Sequence, residues 1–286
     1  MTGGLMRHFL VYTNRYKDRK LLITKRICDF LKLKGQHVDV KVVGKDEESL
    51  SHIPWDTDCI IVLGGDGTVL QAAREAKQQQ TPIIGVNLGT LGYMTEIEPS
   101  GLEEALERLI TGDYTQESRM MLNGKAHLSD GSIQEDWALN DITLSRSGPL
   151  QIIRFNIRVN GRFLNHYKAD GMIVTTPTGS TGYNLSAGGP LVEPGARLIM
   201  LTPICPHSLN QRSIILSPED IIEIEIPECQ EGRTQTVEVN FDASHMIPLR
   251  TGDMIRIARS EKVTEFIRLN QVSFLDVLHR KMQESV

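Results

Sequence analysis

The hydrophobic period of this chain changes near Gly112, and that change narrows the architectures open to it. Before it, short apolar runs at residues 9–13, 38–43, 59–63 and 83–86 read as strands. Between them, Ile23, Ile27, Phe30 and Leu31 recur at helical spacing ahead of Gly35, and a second helical pattern covers residues 68–77. Buried strands separated by helices predict an α/β domain with a parallel sheet. Beyond Gly112, Phe155, Ile157 and Val159 alternate with polar residues, Asn160-Gly161 supplies a type I′ turn, and Phe163 begins the return strand. Ile222, Ile224 and Ile226 alternate in the same way, as do Val237, Val239 and Phe241. This half is expected to be mostly antiparallel sheet. The tail over 272–282 regains a helical period and is expected to pack back on the first domain. The expected division is an α/β phosphate-binding domain over 1–115, completed by 265–286, and a β-rich domain over 116–264.

Composition removes several function classes. The 286 residues suffice for two cores, and no apolar run approaches the ~20 residues of a membrane-spanning helix. Arg7 and His8 precede only a short apolar run, unlike a secretory leader, so a cytoplasmic protein with no membrane partner is expected. A net charge of −5 argues against nucleic acid as a partner. The basic residues at 17–20 read as a solvated helix face. Cys28, Cys59, Cys205 and Cys229 form no C-x-x-C pair and are expected to be reduced and structural.

Two segments carry chemistry. Gly64-Gly65-Asp66-Gly67-Thr68 lies between a buried strand and a helix, at the carboxyl end of a strand, where open α/β sheets bind ligands. Its glycines let backbone N–H groups approach phosphate oxygens, helped by the roughly half-unit positive charge of a helix N-terminus. A carboxylate facing polyphosphate is repelled unless a metal intervenes or it accepts a proton from an attacking hydroxyl, and both roles belong to a kinase. The plainer reading makes Asp66 a helix cap in a tight turn. The string is neither a Walker A loop nor a G-x-G-x-x-G turn. The second segment runs from Asp170-Gly171 into Thr175-Thr176-Pro177-Thr178-Gly179-Ser180-Thr181-Gly182-Tyr183 and continues Asn184-Leu185-Ser186. It offers hydroxyls between glycines, suited to sugars, amides and phosphates. Taken alone, it is as compatible with a structural loop.

Together the two strings resemble the signatures of the NAD kinase family, and the resemblance covers nearly the whole chain. Asn87-Leu88-Gly89-Thr90-Leu91-Gly92-Tyr93 is similar to that family's G-x-L-G-F loop, Asn140-Asp141 to its N-[ED] pair, and the stretch from Pro206 to Arg212 to a further family segment. The resemblance implies ATP-dependent phosphorylation of NAD on the 2′-hydroxyl of its adenosine ribose, forming NADP. Asp66 would be the catalytic base, with Gly64, Gly65, Gly67 and Thr68 holding ATP phosphates. Asn140 and Asp141 would grip the ribose diol, Asp170 and Thr178 would meet the nicotinamide end, and Thr181 and Gly182 the adenine. Tyr93, Tyr183 and Ser186 would line the NAD pocket, with Asn184 and Leu185 beside them and Lys168 near a substrate phosphate. Gln151 and Ser244 occupy variable binding positions. Mg²⁺ is expected to bind through phosphates without a protein cage, and the assembly implied is a homodimer or homotetramer. Gly182 departs from the usual alanine, Tyr93 from a phenylalanine, and Asp242-Ala243-Ser244 from Asp-Gly followed by a polar residue. Diacylglycerol kinases and phosphofructokinases carry related glycine turns but not the hydroxyl-rich segment. A sensor that binds NAD or NADP without turnover is the alternative outside the enzymes.

Overall fold

The apolar runs of the first third form a parallel sheet because each is flanked by a helix on one face or the other. A computed structural model of the chain describes residues 4–44, 50, 52–89, 92–148, 152–208, 212–228, 234–269 and 273–284. In chain order the first elements are β1 (His8–Asn14), α1 (Leu22–Leu33), β2 (His37–Val43), β3 (Cys59–Gly64), α2 (Asp66–Ala76), β4 (Ile83–Asn87), β5 (Thr95–Ile97) and α3 (Leu102–Thr111). The strands run parallel in the order β2-β1-β3-β4, with β5 on β4. Every residue of β3 is buried, as a strand covered on both faces requires. Phe9, Val11, Ile61 and Leu63 pack with Ile27 and Leu31 of α1 and with Leu106 and Leu109 of α3. The alternate residues Leu10, Tyr12, Ile60 and Val62 are equally buried, and α2 packs on β3 and β4. Residues 17–20 are not a helix face. They form the turn ahead of α1, where buried Asp18 accepts the Leu22 and Thr24 amides and the Thr24 hydroxyl at 2.8–2.9 Å. A run of charges at near-helical spacing hid a capping carboxylate.

The second set comprises β6 (Thr115–His127), β7 (Ile133–Ala138), β8 (Asp141–Arg146), β9 (Ile153–Val159), β10 (Arg162–Ala169), β11 (Gly171–Thr175), α4 (Tyr183–Ser186), β12 (Ile199–Ile204), β13 (Ile214–Leu216), β14 (Ile222–Glu225), β15 (Thr236–Phe241), β16 (His245–Arg250) and β17 (Met254–Arg268). A sheet in the order β13-β12-β11-β8-β15-β16 is antiparallel throughout. A second antiparallel ladder runs β10-β9-β14-β17. Their apolar positions share one core, in which Phe155, Ile157, Ile222, Ile224 and Ile257 join Ile142, Leu144, Val174, Val239 and Phe241. The β9–β10 turn places Asn160 at φ 50° and Gly161 at φ 75°, the two left-handed positions a type I′ turn needs.

The chain divides into one unit of Met1–Arg119 with Val263–Val286 and another of Met120–Lys262. The tail forms α5 (Phe274–Glu284) in the first unit. Val272, where a helical period begins in the sequence, lies outside the described residues, as does Cys229. Cys28 and Cys59 are buried free thiols, whereas Cys205 is exposed, against the expectation of a structural role. No helix of the described residues is long and apolar enough to cross a membrane.

The β15–β16 turn holds Asp242 at φ 49° and Ala243 at φ 52°. A left-handed alanine carries a strain of about 1 kcal/mol that glycine lacks, partly offset by glycine's greater unfolded-state entropy. Ala243→Gly is therefore expected to stabilise the protein by about 0.5–1 kcal/mol and to raise its calorimetric unfolding midpoint. A lower midpoint would contradict this.

Candidate functional site

In the first unit the glycine turn caps β3. A Cβ on Gly64 would stand 2.4 Å from the Thr68 Oγ1, and that hydroxyl also accepts a 3.1 Å bond from Asn14 at the end of β1. Thr68 is buried and its hydroxyl ties α2 to β1. Gly65 and exposed Gly67 differ, since a Cβ on either would meet nothing within 4 Å. No neighbour among the described residues requires these two glycines. A ligand brought against their backbone would.

Asp66 is the first residue of α2, and Gly65, not Asp66, occupies the cap position. Its carboxylate turns instead to the loop after β4. Oδ2 accepts the Tyr93 amide at 2.9 Å and Oδ1 the Met94 amide at 3.0 Å. Gly92 is obligatory there, because its Cβ would fall 2.1 Å from the Asp66 Oδ1. Each oxygen keeps a lone pair for another partner. The Tyr93 ring lies 5.9 Å from that of Phe274 and beneath the Lys281 ammonium at 4.9 Å, both on α5. Burial, with the Asp66 charge adding to it, pushes the Tyr93 phenol up, so it remains a donor at neutral pH. Thr90 and Leu91 of this loop lie outside the described residues.

In the second unit one carboxylate organises the Asn140-Asp141 pair. Asp242 accepts the backbone amides of Leu139, Asn140 and Asp141 at 2.7, 2.8 and 3.1 Å. On the other side the Asn140 carbonyl accepts the Thr176 amide and the Thr175 hydroxyl, both at 2.9 Å, and the Leu139 carbonyl accepts the Thr176 hydroxyl at 2.6 Å. Gly179 closes against the same segment, since its Cβ would stand 2.5 Å from the Asn140 carbonyl oxygen. The hydroxyl-rich turn and the Asn-Asp pair are thus one assembly. Within it the Asn140 Oδ1 is buried and has no hydrogen-bond partner among the described residues, the state expected of an acceptor that awaits a ligand donor. Asp141 accepts the Thr143 hydroxyl at 2.9 Å. Burial, reinforced by the Asp242 charge and opposed by the Thr143 bond, pushes the Asp141 carboxyl up to about 6.

The remaining expected residues separate into three groups. Thr178 is buried, Thr181 and Gly182 are half-buried, and Tyr183, Leu185 and Ser186 are exposed along α4. A Cβ on Gly182 would meet the Gly179 carbonyl at 3.4 Å and the Asn140 Nδ2 at 3.7 Å, ordinary contacts, so an alanine would fit. Asn184 faces the protein. Its amide donates to the Ser180 and Pro190 carbonyls and accepts the Thr202 hydroxyl at 2.7 Å, which holds the turn from behind. The Ser244 amide and hydroxyl both go to the Phe241 carbonyl at 3.0 Å. Lys168 is exposed on β10, and Asp170 has the Arg146 Nε 3.7 Å away, so its charge is partly balanced within the protein. Gln151 lies outside the described residues, as do Leu209, Asn210 and Gln211 of the Pro206 segment. Sequence reasoning did not single out Asn14, Thr175, Thr176 or Lys281, whose roles come from strand ends and from a helix distant in sequence.

Known proteins resemble this chain over nearly its whole length. The family model described as the ATP-NAD kinase N-terminal domain matches residues 32–114, and that of the C-terminal domain matches 139–269. A protein of Lachnospira eligens named NAD kinase is 44% identical over 97% of this chain and 100% of its own length. The chain belongs to the NAD kinase family. An Agathobacter rectalis NAD kinase is likewise 44% identical, over 97% of this chain and 99% of its own. An NAD kinase from Archaeoglobus fulgidus, solved in complex with ATP, superposes with a TM-score of 0.73 at 28% identity, over 96% of this chain and 99% of the other. The yeast NADH kinase structure, at 24% identity and a TM-score of 0.85 over 98% of this chain and 88% of the other, shares the fold.

Gly67 is a position where stability and ATP use are expected to move in opposite directions. It lies in the first turn of α2 with open space around it, so Gly67→Ala is expected to stabilise the helix by about 0.5–1 kcal/mol. The same methyl group would obstruct a phosphate on the turn. The expected outcome is a higher unfolding midpoint together with a KM for ATP raised several-fold; an unchanged KM for ATP would exclude phosphate contact at Gly67.

Proposed function

We propose that this chain transfers the γ-phosphoryl group of ATP to the 2′-hydroxyl of the adenosine ribose of NAD, yielding NADP and ADP. The observation that carries this reading is the near full-length match to relatives named NAD kinase, with Asp66 and the Asn140-Asp141 pair intact. Phosphoryl transfer needs alignment of the reacting oxygens and balance of charge on phosphate, with little covalent chemistry from the protein. In the first unit, the bare backbone at Gly65 and Gly67 holds the triphosphate at the start of α2. Asp66, fixed by the Tyr93 and Met94 amides, accepts the proton of the acceptor hydroxyl.

In the second unit, the Asn140 Oδ1 and the Asp141 carboxylate accept hydrogen bonds from the ribose diol. Thr178 and Asp170 meet the nicotinamide end, Thr181 and Gly182 the adenine, and Tyr183, Leu185 and Ser186 line the pocket. Asn184 acts from behind the turn. Lys168 lies near a substrate phosphate. A Mg²⁺ ion suits the donor set around the glycine turn, where a carboxylate with free lone pairs is joined by phosphate oxygens and water. When bound, it neutralises phosphate charge. Catalysis is placed in the cytoplasm, where ATP and NAD are available. Assembly as a homodimer or homotetramer is supported by β10, a sheet edge with Phe163 and Leu164 exposed.

The purified protein with ATP, Mg²⁺ and NAD is expected to form NADP, read out by an NADP-specific dehydrogenase. ADP release with a lipid or sugar but not with NAD would replace this reading with the related kinases, and NAD binding without NADP formation would replace it with a sensor. Asp66→Asn keeps the shape but not the base, so kcat should fall by on the order of 10²–10⁴ while NAD still binds. An unchanged kcat would remove Asp66 from the chemistry.

Asp141 supplies a pH signature. Its carboxyl titrates at about 6 when folded and at 3.8 when unperturbed, so it is neutral below the first value and anionic above it. A diol hydroxyl donates a stronger hydrogen bond to the anion than to the neutral acid. The KM for NAD is therefore expected to fall as pH rises through about 6, and Asp141→Asn should abolish that step. The linkage to stability has the opposite sense. Between 3.8 and about 6 the folded state holds a proton that the unfolded state has lost, so this residue's contribution to stability declines as pH rises through that window. A pH profile of KM identical in wild type and variant would show that Asp141 does not contact the diol.

A further inference from the structure

The opposite end of the parallel sheet carries a cluster that phosphoryl transfer does not use. His8 opens β1 and His37 opens β2, and the two are paired in register. Asp39 follows His37 by two residues on the same face of β2. One donor atom from each of these three side chains lies within 4.8 Å of the others. The His8 ring is buried, 4.1 Å from the His37 ring centroid, with Nε2 2.9 Å from the Asp39 Oδ2 and Nδ1 3.3 Å from the Asp56 Oδ2. The approach of Nδ1 is out of line for a hydrogen bond. Asp58 belongs to the same corner but accepts the Arg7 and His8 amides at 2.8 and 2.9 Å.

One imidazole between two carboxylates has a chemical imbalance. A neutral ring has a single N–H and one lone pair, so whichever carboxylate it does not donate to faces the lone pair directly. A cation on that side removes the conflict. Two imidazoles and one carboxylate form a nitrogen-rich donor set that selects borderline transition metals over Mg²⁺ or Ca²⁺. A tetrahedral ion with bonds of about 2.0–2.1 Å places its ligands roughly 3.3 Å apart. The His8–Asp39 separation of 2.9 Å is near that value, and the exposed His37 ring already lies against that of His8, with a donor atom within 4.8 Å of the other two.

We propose that His8, His37 and Asp39 form a binding site for Zn²⁺ or a similar divalent transition ion. Metal binding releases the His8 ring from its bond to Asp39, so that Nδ1–H aligns with Asp56, 3.3 Å away, and Nε2 faces the metal, with water completing the coordination. Binding replaces the hydrogen bond between Nε2 and Asp39 with two metal bonds and releases any proton carried by Nε2. The ion joins β1 to β2, the edge strand of this sheet. The site is remote from the glycine turn. Six residue steps along β1, roughly 20 Å, separate His8 from Asn14, which touches Thr68.

The test uses the full chain freed of metal by chelator dialysis and titrated with Zn²⁺ by calorimetry, then with Co²⁺ by visible absorption. One Zn²⁺ per chain is expected, with a rise in unfolding temperature and the visible bands of low-symmetry Co²⁺. Exposed His37→Ala and half-buried Asp39→Asn should each weaken Zn²⁺ at least about tenfold and remove the Co²⁺ bands, and Asp56→Asn should weaken it by about tenfold. NAD phosphorylation with Mg²⁺ should be unchanged in His37→Ala. Absence of Zn²⁺ binding by the wild type would overturn the proposal, as would equal stoichiometry and affinity in wild type, His37→Ala and Asp39→Asn.

Discussion

Three backbone amides converging on the Asp242 carboxylate hold the second unit's site together. Without that acceptor, the donors of Leu139, Asn140 and Asp141 would be left without partners where the chain leaves β7 and enters β8, and each would destabilise the fold by about 1–3 kcal/mol. The same bonds determine where Asn140 and Asp141 point. Burial raises the proton affinity of Asp141, and the Asp242 carboxylate held close to it adds to that rise. The left-handed backbone at Asp242 and Ala243 brings the carboxylate to this position, so strain in the β15–β16 turn is coupled to the geometry of the site.

The first unit uses the same device with different parts. Asp66 could have capped α2, the most local use of an aspartate beside a helix start. It reaches across to the loop after β4 instead, and Gly92 leaves the space that lets it do so. A carboxylate held by two amides from another segment cannot follow its own helix, so its orientation belongs to the loop. The glycines around it therefore have separate causes. Gly64 and Gly92 answer to Thr68 and Asp66, while Gly65 and Gly67 answer to nothing among the described residues.

The fold was legible because its signals are local. Continuous apolar runs gave β1, β3 and β4, alternation gave β9, β14 and β15, and Asn160-Gly161 gave the turn that joins β9 to β10. Motifs located Asp66, Asn140 and Asp141, and family resemblance supplied their roles. What the sequence concealed is the direction in which side chains face. Asn184 sits in the middle of a ligand-like string, yet its amide is directed at Ser180, Pro190 and Thr202. Residues 17–20 have the charge pattern of a helix surface but form a turn, since the Asp18 carboxylate captures the first amides of α1. In both cases two of the three deciding hydrogen bonds are made to backbone atoms, which composition and periodicity do not record.

The contact between α5 and Tyr93 explains why a helical period returns after so much antiparallel sheet. The described residues of the loop that carries the Tyr93 and Met94 amides form no helix or strand to stiffen it, yet those amides orient Asp66. Its Tyr93 ring is held between Phe274 and Lys281, an aromatic contact and a cation–π contact on one side chain. Such contacts contribute about 0.5–1.5 kcal/mol each, enough to populate one loop conformation strongly over its alternatives. The phenol need not touch a substrate to matter, since ordering its ring orders the backbone it belongs to. A phenylalanine could meet the same two partners, so the tyrosine here leaves this bracing intact and adds only a hydroxyl. The orientation of the Asp66 carboxylate thus depends on a helix some two hundred residues further along the chain, and the glycine turn alone does not define the candidate site.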